Sequence, residues 1–180
     1  MDSKTSEIQG RVWYELKLST TFCYYIEDLI DKNVRKDIIY NASIAGFSLV
    51  GAVIAVIFFL MENPPVWLIA ISIIFLIAPF FIVSVNQFKP LFIIPYSSLS
   101  ELSKLYAVFT TYTDELHNIF GEIRRNEITP KKAGEKLLEI NNKYSTHKIN
   151  AGRIFGKMDK KIEAEAQKRS EEYLNSIYGD

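Results

Sequence analysis

The chain has 180 residues, enough for one domain or a small two-part architecture. Its 21 basic and 21 acidic side chains balance, so no net field draws it to nucleic acid or to an acidic substrate. The lone cysteine, Cys23, excludes an internal disulfide, and the isolated His117 and His147 leave no multi-ligand metal site.

Residues 1–37 read as an N-terminal amphipathic helix. Ile8, Val12, Phe22, Ile26 and Leu29 hold near-heptad positions with Ser19 as the weak link, and Glu7, Lys17, Asp28 and Lys32 alternate around them. The mixed signs favour packing on other helices of the protein over lying on lipid. Cys23, between Phe22 and Tyr24, reads as a small apolar filler. Charged and polar residues fill the chain up to Asp37, where a signal peptide would carry its apolar core. The first apolar helix is therefore expected to stay in the mature protein.

Residues 38–88 read as a transmembrane hairpin with spans at 38–61 and 66–86. No charge falls between Ile38 and Met61 or between Asn63 and Phe88, and each span meets the roughly 20 residues that cross a hydrocarbon core. The first has eleven Ile, Leu, Val or Phe residues between Tyr40 and Met61. They favour insertion by roughly 3 to 7 kcal/mol before the costs of Asn41, Ser43 and Ser48. Helices apolar on every face are rare outside membranes. Only Glu62-Asn63-Pro64-Pro65 separates the spans; the prolines stop one helix, and Pro65 suits the first turn of the next. So short a link makes the helices antiparallel neighbours. Lys32, Arg35, Lys36, Lys89 and Lys104 flank the side opposite the loop, which places both termini in the cytoplasm.

Within the first span Asn41, Ala45, Ser48, Ala52 and Ala55 fall on one stripe, with Gly46 and Gly51 beside it. Small residues let helix backbones approach closely in lipid. The stripe fits packing against the second span of the same chain, or an intersubunit seam or pore lining. Pro79 interrupts the second span and is a candidate hinge.

Residues 89–180 read as a cytoplasmic helical region. Two prolines fence Phe88–Pro95, which is expected to be extended. Ser98 and Glu101 then form a capping-box pair that starts a helix. Leu99, Leu102, Tyr106, Phe109, Leu116, Phe120 and Ile123 make a coiled-coil-like seam, a candidate oligomer seam that ends at the polar stretch Arg124–Glu127. Thr129-Pro130 marks a further helix start, with Ala133, Leu137 and Ile140 running to about Tyr144. A last helix, about Ala151 to Tyr178, is expected to turn Ile154, Met158, Ile162, Tyr173 and Ile177 inward. The interleaved Lys157, Lys160, Lys161, Lys168 and Arg169 read as a solvated face, not a nucleic-acid site. These helices need packing partners within the chain or between chains, which makes a homo-oligomer the expectation.

No phosphate loop, HExxH, CxxC or Ser/His/Asp setting is present, and the carboxylates lie on exposed faces, so the sequence points away from an enzyme and from any cofactor. The fold class expected is all-α. The apolar spans, the Glu62–Pro65 turn and the Leu99-to-Ile123 helix, in this order, resemble the SLATT family of two-transmembrane effectors associated with bacterial nucleotide-signalling and anti-phage conflict systems. The resemblance covers nearly the whole chain as a layout and carries no diagnostic motif, so no site residue transfers. It implies a bacterial inner-membrane effector that, once triggered, oligomerises and disrupts the bilayer. No separate sensor domain is visible in the sequence, so the trigger would come from a signalling or sensor protein or from the cytoplasmic helices. The alternative is a membrane-anchored scaffold whose cytoplasmic helices bind a partner; a holin-like lysis protein ranks last, being usually smaller.

Overall fold

The computed structural model describes residues 3–61, 64–154 and 159–179. The fold is all-helical, with α1 (Ser3–Leu60), α2 (Val66–Phe92), α3 (Tyr96–Arg124), α4 (Pro130–Ile154) and α5 (Lys160–Tyr178), and no strand among the described residues. Two compact units divide it. Met1–Ile30 groups with Ser97–Asp180, and Asp31–Tyr96 forms the second unit. The amphipathic segment and the first apolar segment are thus stretches of one 58-residue helix.

In the first unit, α1 contributes Val12, Leu16 and Ile26 to a core with α3, α4 and α5. Ser19, the weak link of the heptad, is 1% exposed, and its hydroxyl donates to the Leu16 carbonyl at 3.0 Å. Back-bonding of this kind lets a serine be buried without an orphaned polar atom. The α3–α4 turn closes as a Schellman motif: Glu127 N–H donates to the Glu122 carbonyl and Asn126 N–H to that of Ile123. Asn126 takes the left-handed conformation, φ 55°, which asparagine tolerates better than most residues. Thr129 caps α4, its hydroxyl accepting from Lys132 N–H and its carbonyl from Ala133 N–H.

Four sequence expectations are corrected. Phe88–Pro95 is not extended as a whole. The helix runs through Pro90 to Phe92, and only the stretch from Ile93 to Pro95 leaves it. Pro90 removes one hydrogen bond, but Ile93 N–H donates to the Lys89 carbonyl at 2.9 Å, so the ladder resumes beyond it. Both Pro90 and Asn86, whose carbonyl loses its donor, are exposed, where solvation offsets the loss. Helix α3 starts at Tyr96, immediately after Pro95, which places Ser98 and Glu101 inside its first turns.

The third correction is that Ala151 belongs to α4, which continues ten residues beyond Tyr144. Helix α5 begins instead at Lys160, where the Asp159 side chain accepts from Lys161 N–H. Finally, α5 buries Ile162, Ala166, Ser170 and Leu174, while Tyr173 is 39% and Ile177 48% exposed. Small residues win the inward face because α5 lies close on α1: the Ser170 hydroxyl donates to the Lys17 carbonyl at 3.3 Å. Lys157 and Met158 lie outside the described residues, as does the side chain of Ile154. Arg169 is partly solvated, with 37% of its side chain exposed, and also forks onto Glu27 and Asp28 of α1 and lies 4.3 Å from the Tyr24 ring centroid.

Candidate membrane-facing site

The second unit pairs α1 with α2 in opposite directions. From one end to the other, Asn33 meets Ile94, Asp37 meets Lys89, Tyr40 meets Asn86, and Phe47 meets Phe75. The polar end is a clasp of three layers. The buried Asn33 treats Ile94 as a strand would, its amide donating to the carbonyl at 3.3 Å while its oxygen accepts the N–H at 2.6 Å. Lys89 pairs with Asp37 at 2.7 Å and sits over the Tyr40 ring, and the Tyr40 hydroxyl donates to Asn86 at 2.7 Å. Asn41 donates to the other Asp37 oxygen at 3.1 Å. That contact satisfies the amide of Asn41 within its own helix.

Above the clasp the contacts are apolar. The Phe47 and Phe75 rings lie 4.9 Å apart, and a Cβ at Gly51 would sit 2.7 Å from Phe75 Cδ1. Gly51→Ala is therefore expected to destabilise this helix pair by about 1 to 3 kcal/mol, the usual cost of overpacking. Thermal melting in detergent measures it, and an unchanged transition would mean that the ring yields without cost.

Away from the clasp, the outward surface of the unit carries large apolar side chains. Phe59 is 89%, Leu60 75% and Val66 82% exposed. One helix among the described residues, Thr5–Leu60, is long and apolar enough to cross a membrane, and none of its most apolar window is buried inside the chain. A core helix of a water-soluble domain would bury that window. Val66–Phe75 is a shorter apolar stretch. Glu62 and Asn63 of the connecting turn lie outside the described residues. Pro65 proves to be the N-cap of α2, its carbonyl accepting from Leu68 and Ile69 N–H.

Asn41, Ala45, Ser48, Ala52 and Ala55 are all exposed. The face turned to α2 carries Tyr40, Phe47 and Gly51 instead, one residue earlier and so about 100° round the helix. Only Ala55 reaches the groove between the helices, which it lines with Ile54, Phe58, Ile69 and Ser72. Helix α2 stays helical through Pro79, whose side chain lies outside the described residues.

The α3 seam lies in the first unit. Leu102, Phe109, Leu116, Phe120 and Ile123 are buried there, and Tyr106 is 36% exposed and Leu99 half-buried. The chain's own α1 covers part of it, with Phe22 against Phe109 and Trp13 against Phe120. No known protein family, curated protein or solved structure matches the chain.

Sequence periodicity missed Leu105, Tyr112 and Ile119, which widen the buried stripe. Tyr112 is 1% exposed and carries a polar network. Its hydroxyl lies 2.8 Å from both Glu15 Oε2 and Asn141 Oδ1, and Lys148 reaches the same two oxygens at 2.8 and 3.0 Å. Lys148 also lies 4.6 Å from the Tyr112 ring centroid. No spacing rule finds this network, because its members come from three helices; an unbroken α3 pattern with a tyrosine on the core face was the available signal. Burial pushes the Cys23 thiol up, and Thr113 Oγ1 lies 3.7 Å away, which leaves it a poor nucleophile. The described residues hold no group of three His, Cys, Asp or Glu placed to bind a metal.

Proposed function

We propose that the chain is a two-span membrane protein with both termini in the cytoplasm, and that copies assemble through the small-residue face of α1 to permeabilise a bacterial inner membrane. The observation that carries this reading is that Asn41, Ala45, Ser48, Ala52 and Ala55 remain exposed while α2 occupies the neighbouring face. A small-residue stripe is a surface for close helix approach in lipid, and the chain's own second helix leaves it open. Two helices cannot enclose a water path, so permeation requires several copies. The resemblance to SLATT effectors fits the same layout and adds the anti-phage setting and an upstream signalling or sensor protein.

Reconstitution of the full chain in anionic liposomes holding a self-quenching dye tests the proposal. Dye release should depend on protein concentration, and Ala52→Leu should reduce it at least about tenfold, equivalent to about 1.4 kcal/mol per assembly contact. Val50→Leu, on the opposite exposed face, should leave release unchanged. A correctly inserted oligomer that leaks nothing in any signalling state would end this reading.

A second reading is a membrane-anchored scaffold. Its support is the first unit's own closed core together with Leu138 and Ile149, each 62% exposed, on one face of α4. Exchanging residues 38–88 for an unrelated hairpin would then preserve activity.

A further inference from the structure

The C-terminal turn of α5 is held by one aromatic side chain. Tyr178 packs edge-on against Phe120 at 4.8 Å and Trp13 at 6.0 Å between centroids, and the Arg124 guanidinium donates to its carbonyl at 2.9 Å. Its hydroxyl lies 2.7 Å from His117 Nδ1, with the two rings near parallel at 5.6 Å. The other imidazole nitrogen, Nε2, is buried with no hydrogen-bond partner.

We propose that His117 and Tyr178 form an acid-sensitive latch that docks the end of α5 onto α3 and α1. In the neutral ring one nitrogen carries a proton, and Tyr178 serves the Nδ1 side. A proton taken from solvent makes both nitrogens donors. Nε2–H then points into a buried site with no acceptor, at the cost of an unsatisfied charged group.

The surroundings do little to relieve this. Asp114, on the same helix, favours the charged ring, but burial outweighs it and holds the imidazole below its ordinary value of 6.5. From α5 come Tyr173, edge-on at 5.9 Å, and Tyr178. From α1 comes Trp13 on the Tyr178 ring, and Lys17 is paired with Glu171 at 2.6 Å. Arg124 is held on Tyr178. Because the docked ring has the lower pKa, docking is at full strength above pH 6.5. It weakens as pH falls below that value, where the released ring takes up the proton first, and the loss is complete at the docked pKa.

The test uses the full chain in lipid nanodiscs, with Trp67→Phe leaving Trp13 as the single tryptophan. Trp13 emission should change in one transition with its midpoint below pH 6.5, and His117→Gln should abolish that change. A flat signal from pH 7.5 to 5, or the same transition in the His117→Gln protein, overturns the latch. Should His117→Gln not fold, ring-labelled histidine in the unsubstituted chain decides, with His147→Gln assigning the two signals. A His117 midpoint below 6.5 that coincides with the Trp13 transition supports the latch, and a His117 midpoint at or above 6.5, or one apart from the Trp13 transition, refutes it.

Discussion

Leu116→Ala should lower the stability of the first unit by about 2 to 5 kcal/mol, the range for truncating a buried leucine that leaves a cavity. Leu116 has no exposed surface and lies in the C-terminal half of α3, where Leu105, Tyr112, Ile119 and Ile123 share its face. Neighbours on rigid helices relax only partly into the space. Tyr106→Ala supplies the comparison. Tyr106 belongs to the same apparent heptad but is 36% exposed, and its loss should cost no more than about 1 kcal/mol. Chemical unfolding followed by the helical circular dichroism signal measures both. Equal effects would mean that the heptad seam, and not the wider core, carries the packing.

Glu15→Ala is expected to cost about 1 to 3 kcal/mol, the penalty of leaving charged and polar partners without their acceptor. Tyr112 loses a carboxylate acceptor and Lys148 keeps only Asn141. Solvent reaches Lys148, with 31% of its side chain exposed, and this holds the loss below that of a fully buried pair. Glu7→Ala, which removes the exposed pair with Arg11 one turn apart, should change stability by no more than about 0.5 kcal/mol. The network also has an alkaline signature. Burial first, then the hydrogen bond and charge of Glu15, push the Tyr112 phenol above its ordinary value of 10.0. The folded chain therefore keeps this proton after the unfolded chain has lost it. The contribution is complete below pH 10 and declines as pH rises above it, and Tyr112→Phe should flatten that part of the alkaline unfolding curve.

Much of this architecture was legible in local patterns. The absence of charge from Ile38 to Met61 and the clustering of large apolar residues mark the exposed apolar helix, because a run of that length has no hydrophilic face to offer water. Thr129-Pro130 marks the start of α4 and Arg124–Glu127 the end of α3, because caps are made by neighbouring residues. Of the heptad positions, Val12, Ser19 and Ile26 of α1 and most of those of α3 are buried as their period requires, while Ile8, Phe22 and Leu29 are only half-buried. The errors have a common source. Ser98 and Glu101 make a good cap, yet the helix starts at Tyr96. Pro90 breaks one bond, yet α2 continues to Phe92. A local signal gives a preference of about 1 kcal/mol, and packing around it decides whether the preference is taken.

Composition and period alone therefore determined the all-helical class, the long apolar helix and the candidate small-residue stripe, since each depends on residues adjacent along one helix. Only the tertiary structure decided that α5 buries Ala166 and Ser170 instead of Tyr173 and Ile177. The same holds for Asn33 clasping Ile94, for Tyr112 joining Glu15, Asn141 and Lys148, and for α2 choosing the face beside the stripe. Those choices rest on contacts between residues far apart in the chain, 153 positions from Lys17 to Ser170. Their energies come from shape and hydrogen-bond geometry, which no one-dimensional pattern contains.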